Sequence, residues 1–147
     1  MHIIRFLIAG AAALLLSASP ASAGQSVGME WWIGGGFVNA DYYHEPIAVL
    51  RGGAGAVVLE RLTIGANLQA DREHQFGFGY VGLILPAIGS LEPYGRFHYG
   101  RRDDIDDTAL GWTGGFRYGE RAVKIYLEAF GVIEPGYGTG ACFGITF

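Results

Sequence analysis

The last eleven residues, YGTGACFGITF (137–147), constrain the fold of this chain more tightly than any other stretch. Their odd positions are Tyr137, Thr139, Ala141, Phe143, Ile145 and Phe147, and their even positions are Gly138, Gly140, Cys142, Gly144 and Thr146. Strict alternation with period two makes a strand with two unlike faces. A sheet in water sets bulky apolar side chains against a core and polar ones in solvent. Here one face is bulky and apolar throughout, and the other is almost bare.

The same rhythm runs through the chain. Alternating segments at 27–38, 47–59, 62–70, 75–85, 94–101, 110–119, 122–133 and 137–147 predict eight strands, with no helix and no internal repeat beyond the hairpins. The connectors at 60–61, 87–92 and 120–121 are short. Those at 39–46, 71–74, 102–109 and 134–136 include longer and more charged ones. Short turns at one end and longer polar loops at the other are the asymmetry of a transmembrane barrel. Gly makes up 25 of 147 residues beside 14% aromatics, without a collagen-like period, which suits crowded, curved β-structure.

Residues 1–23 read as a cleaved signal peptide: a basic start at His2 and Arg5, an apolar run over 6–16, and a small-residue end at Ala21-Ser22-Ala23. The apolar run falls short of the roughly 20 residues a spanning helix needs. The mature chain, 24–147, is then one domain in an exported compartment, with no later helical span. The net charge of −4 argues against a nucleic-acid partner. Cys142 has no second Cys to pair with and reads as a small packing residue.

Reading faces by parity, the apolar side carries Met29, Trp31, Ile33 and Phe37; Leu62, Ile64, Ala66 and Leu68; Phe76, Phe78, Tyr80 and Ile84; Phe97 and Tyr99; Leu110, Trp112, Phe116 and Tyr118; and Val123, Ile125, Leu127 and Ile133. The other side carries Glu30, Trp32, Thr63, Asn67, Gln69, Arg96, His98, Thr113, Arg117, Lys124, Tyr126 and Glu128 among glycines. So many bulky groups cannot fill the interior of eight strands, so the apolar side faces lipid and the polar side a narrow lumen. Trp31, Tyr80, Tyr99, Trp112, Tyr118 and Tyr137 are the candidates for interfacial girdles. Closure pairs every backbone group, as hydrocarbon demands. The fold class expected is all-β: an eight-stranded antiparallel up-and-down transmembrane β-barrel. The second strand resists this scheme. Arg51 shares a parity with Ile47, Val49, Val57 and Leu59, and so points at lipid unless a bulge, a rim position or another register intervenes.

With its signal peptide, its eight strands and a final strand ending on an aromatic residue, the chain resembles the small OmpA/OmpX-type outer-membrane β-barrel group. The resemblance covers 24–147 and is one of architecture. It implies an outer-membrane location, contact with membrane lipid and lipopolysaccharide, and a barrel assembly machinery that reads Phe147. A monomer is expected, and the peptidoglycan-anchoring role of two-domain members does not carry over.

Several constellations invite a chemical reading. Arg96, Arg117 and Lys124 sit on consecutive strands near the short-turn end, with Glu30 and Glu128 at hand. Cations side by side in low dielectric need those carboxylates, so a structural ion-pair network filling the lumen is the first reading and a narrow pore the second. His98-Tyr99-Gly100 stands where a lipid A deacylase-like enzyme would want His-x-Ser, and parity turns His98 into the lumen. No catalytic residue is therefore assigned. The stretch 101–107 (RRDDIDD) lacks the central Gly and final Glu of an EF-hand and reads as a solvated loop, with a bridging divalent cation as its alternative. The glycines at 34–36 have neither the helix nor the Lys-Ser/Thr of a phosphate loop and fit strand curvature. No cofactor or metal is called for.

Overall fold

A computed structural model describes residues 27–39, 45–72, 74–102, 108–119, 123–134 and 138–147. The signal segment, Tyr137 and Asp103 to Asp107 lie outside them. The described residues form eight strands: β1 (Val27–Asn39), β2 (Ile47–Val58), β3 (Leu62–Ala70), β4 (Gln75–Ile84), β5 (Leu91–Arg102), β6 (Thr108–Tyr118), β7 (Lys124–Glu134) and β8 (Gly138–Thr146). Each pairs antiparallel with the next, and β8 returns to β1, so the sheet is a closed barrel in sequence order.

The register fixes the barrel's shape. Stepping across partners from Met29 through Ala56, Ile64, Val81, Phe97, Trp112, Gly131 and Thr139 brings the path back to β1 at Asn39, ten residues above its start. With eight strands, that stagger sets a strand tilt of about 40° and a backbone radius of about 8 Å. A strand of eleven residues then rises roughly 27 Å, the height of a hydrocarbon core. The ladder is regular except between β6 and β7. There Leu110 pairs with Glu134 and Gly111 with Val132, leaving Ile133 as a bulge.

The short hairpins close tightly. The amide of Arg61 bonds the carbonyl of Val58 at 3.2 Å, and Leu59 and Glu60 between them have φ of 53° and 62°. A two-residue turn with both residues left-handed matches strand twist, though Asn-Gly is its usual sequence. At the C-terminus Phe147 exchanges two backbone hydrogen bonds with Trp31, of 2.7 and 2.8 Å, which fastens the last residue to β1.

The outer surface is a continuous apolar band. Trp31, Ile33 and Phe37, Ile64 and Leu68, Val81 and Leu83, Phe97 and Tyr99, Trp112 and Phe116, Ile125 and Leu127, and Phe143 and Ile145 are all exposed. The buried groups are those facing the lumen.

Two strands depart from the parity reading. In β4 the aromatics Phe76, Phe78 and Tyr80 point inward and are almost fully buried, while Gly77, Gly79, Val81 and Leu83 form the outer face. In β2 Ile47, Val49 and Arg51 point inward, and Ala48, Leu50, Gly52, Ala54 and Ala56 lie outside. The physical reason is volume. Lumen-facing glycines strip part of the wall and seat rings: a Cβ on Gly65 would stand 2.6 Å from the Tyr80 hydroxyl, and one on Gly34 2.1 Å from that of Tyr126. Ala and Gly serve well enough on a lipid face, where nothing has to be filled. Arg51 needs neither a bulge nor a rim position.

Candidate functional site

The lumen is layered from the short-turn end upward. At that mouth lies a cavity of about 300 Å³, walled by Val57, Ile84 and Phe147 and by the charged Glu60, Glu92 and Lys124, with Glu30 and Arg117 at its inner limit. Lys124 Nζ donates to Glu92 Oε1 at 2.5 Å, and both side chains keep about a quarter of their surface open. Lys124 therefore pairs across to β5, and not with Glu30 or Glu128 as the sequence suggested.

Above the mouth, Glu30 is the acceptor for three donors. Arg96 Nη2 reaches its Oε1 at 2.8 Å, Tyr80 Oη reaches the same oxygen at 3.1 Å, and Arg117 Nη2 reaches Oε2 at 2.6 Å. Alternation on four strands (β1, β4, β5 and β6) puts these groups on one side of the wall. The Arg96 guanidinium lies 5.1, 4.9 and 4.8 Å from the rings of Trp32, Tyr80 and Tyr94, an aromatic cage around a desolvated cation.

The second carboxylate, Glu128, bonds Arg51 Nη1 with one oxygen and accepts from Tyr94 Oη at 2.6 Å with the other. Arg51 crosses the lumen from β2 to do so. Its Nη2 donates to Thr113 Oγ1 at 3.1 Å, and its guanidinium carbon stands 4.1 Å from the Phe130 ring. His98 is held on both sides, by Asn67 Oδ1 at 3.0 Å from Nδ1 and by Thr113 Oγ1 at 2.8 Å from Nε2. Cys142 lies 3.7 Å from Tyr126 Oη, buried among apolar groups.

Toward the long-loop end the lining turns apolar. Val38, Ile47, Val49, Phe76, Phe78, Ala109, Phe130 and Val132 belong to one buried cluster. Val38, Phe76 and Ala109, close to that end of β1, β4 and β6, have no solvent contact.

No protein-family model matches the sequence, and no curated protein does. Among solved structures, the chain is similar to one described as a de novo design of transmembrane β-barrels, with a TM-score of 0.63 and 16% identity over 82% of this chain and 92% of that one. It is also similar to the solution NMR structure of the de novo designed TMB2.3, with a TM-score of 0.64 and 16% identity over 86% of this chain and 96% of the other. Its fold resembles that of a small transmembrane β-barrel. A membrane is the environment that this fold and its outward apolar band call for.

Of the residues singled out from the sequence, all of Glu30, Arg96, His98, Arg117, Lys124 and Glu128 face the transmembrane barrel's lumen, but in three groups and not one. Glu30, Arg96 and Arg117 form the lower cluster. Glu128 belongs to an upper cluster whose cation is Arg51, the residue parity had turned outward. Lys124 stands at the mouth. Tyr80 and Tyr94 were missed as partners, and Tyr80 is a lumen donor, not a girdle residue. The signal for Arg51 was available: a lone charge among Ala, Gly and Val marks the lumen side of a membrane strand more surely than the size of its neighbours. At the loop end, Asp71 Oδ1 accepts from the His74 amide at 2.8 Å and lies 3.7 Å from its Nδ1. Among the described residues no group of three or more His, Cys, Asp or Glu is placed to hold a metal.

Proposed function

We propose that this chain is exported through a cleaved signal peptide (1–23) to the outer membrane. There it acts as a non-enzymatic structural or interaction barrel with a plugged lumen, presenting the loops of its long end to the exterior. The observation that carries this reading is the layering of the lumen. Two carboxylates with all four oxygens engaged lie beneath a dry apolar cluster, which leaves no wet path from end to end. A pore needs such a path, and a lipid-modifying enzyme needs a nucleophile on the lipid side. His98, the residue on which the deacylase-like alternative rested, has both ring nitrogens engaged inside the barrel.

The barrel works as a monomer surrounded by membrane lipid and lipopolysaccharide, and Phe147 is the signal its assembly machinery reads. Purified protein reconstituted in planar bilayers tests the plugged reading. The expected result is no steady conductance. A reproducible current whose ion selectivity inverts with Glu128→Lys, in protein of unaltered stability, makes the chain a channel instead.

A further inference from the structure

The middle of the lumen holds more cations than anions. Among the described residues, the guanidiniums of Arg51, Arg96 and Arg117 face only the carboxylates of Glu30 and Glu128, and the Lys124–Glu92 pair at the mouth balances itself. His98 does not alter this count. Arg51 Nη2 can only donate, so Thr113 Oγ1 accepts there and gives its own proton to His98 Nε2. The ring proton then sits on Nδ1 and is donated to Asn67 Oδ1. The imidazole is neutral, and one positive charge is left over.

Acceptors are short as well. Both oxygens of each carboxylate are taken, yet Arg51 Nε, Asn67 Nδ2 and Gln69 Nε2 have no partner. These residues are 3%, 2% and 1% exposed, so bulk water does not serve them. They are also neighbours. Arg51 on β2 pairs directly with Gln69 on β3, and Asn67 is two residues along β3 on the same lumen face, opposite Gly53. Orphaned donors beside an uncompensated guanidinium are among the least favourable arrangements in a low-dielectric interior.

We infer that this corner of the lumen, between β2 and β3, binds one small monovalent anion of the halide class, held by Arg51 Nε, Asn67 Nδ2 and Gln69 Nε2. A halide accepts several N–H bonds from any direction, requires no donor in return and cancels the surplus charge. Enclosed by protein, it enters during folding and leaves on unfolding. The site goes beyond the plugged-barrel reading and does not rest on it: a conducting barrel would keep the same donors and the same charge.

The test uses the mature chain refolded into phosphatidylcholine vesicles in sodium chloride or, at equal ionic strength, in sodium gluconate, whose anion is too bulky for an enclosed site. The urea midpoint is expected to fall in gluconate. Protein folded in chloride and then exchanged into gluconate is expected to release stoichiometric chloride on unfolding. Gln69→Glu places a carboxylate where the ion sits. It should abolish both the salt difference and the released chloride. Asn67→Asp, which keeps the acceptor for His98 Nδ1, makes the same substitution of charge from the neighbouring position and serves if Gln69→Glu does not fold. Equal midpoints in the two salts without released chloride mean that ordered water satisfies the donors, and overturn the inference. A salt difference that persists unchanged in both variants is a general ionic effect and overturns it equally.

Discussion

Replacing Glu128 by Ala probes the lumen where its pairing is least obvious from sequence. The side chains of Arg51 and Glu128 are 3% and 0% exposed, so the pair is desolvated. Removing one partner of a buried pair costs about 3–5 kcal/mol, most of it from the charge left behind. Tyr94 Oη, now 2.6 Å from Glu128 Oε2, is stranded too, at about 1–3 kcal/mol unless water reaches it. With a urea slope of about 2 kcal/mol per M, a loss of ~4 kcal/mol lowers the unfolding midpoint by ~2 M. Two comparisons make the measurement specific. Arg51→Met combined with Glu128→Leu removes both charges and should recover most of the loss. Lys124→Met breaks a pair whose partners are 24% and 25% exposed, worth only about 0–1 kcal/mol. The assay is urea titration of protein folded in vesicles, followed by Trp fluorescence. A Glu128→Ala shift no larger than that of Lys124→Met would falsify the pairing, as would a double variant as unstable as the single one.

Three further outcomes follow from the wall of the barrel. Gly65→Ala should destabilise by about 1–3 kcal/mol, because its Cβ would stand 2.3 Å from the Ala54 carbonyl oxygen and 2.6 Å from Tyr80 Oη; a midpoint equal to wild type removes the inward placement of Tyr80. Ala129→Arg, at the centre of the outer face of β7, should cost roughly 2–4 kcal/mol in vesicles, while Cys142→Ser in the lumen stays mild; equal folding yields for the Arg variant and wild type contradict the face assignment. Deleting Phe147 should lower the level assembled in cells more than the stability of refolded protein, and unchanged levels by fractionation and immunoblot would end its role as an assembly signal.

Most of the architecture was legible because alternation in a membrane barrel is read twice, once by lipid and once by the lumen. Strands β1, β3, β5, β6, β7 and β8 announced their faces through charges and amides on one side, such as Glu30 on β1, Asn67 and Gln69 on β3, and Arg96 on β5. β4 had no such marker. With only Gly, Phe, Tyr and aliphatic residues after Gln75, bulk alone had to decide, and bulk pointed Phe76, Phe78 and Tyr80 the wrong way. Their true side depends on where glycines of other strands leave room, for instance Gly55 and Gly65 beneath Tyr80, and this is a property of the register. In β2 the one charge was informative, yet Ile47 and Val49 outweighed it. The pairing of the ions was illegible for the same kind of reason. Arg51 meets Glu128 across the barrel, 77 positions along the chain, and only the ten-residue stagger brings them to one height.

Fluorescence quenching of adjacent tryptophans tests the central claim most directly. Trp31 and Trp32 are neighbours in β1, yet Trp31 is 39% exposed on the outer band and Trp32 only 4% in the lumen. Trp112, 39% exposed on β6, is a second outer reference. Variants that keep one Trp each, with Phe at the other two positions, would be folded into vesicles of ordinary or acyl-brominated phosphatidylcholine. Contact with brominated chains should quench Trp31 and Trp112 strongly and leave Trp32 nearly unaffected. Equal quenching of Trp31 and Trp32, or quenching of Trp32 alone, would contradict a barrel that turns this apolar face to the membrane.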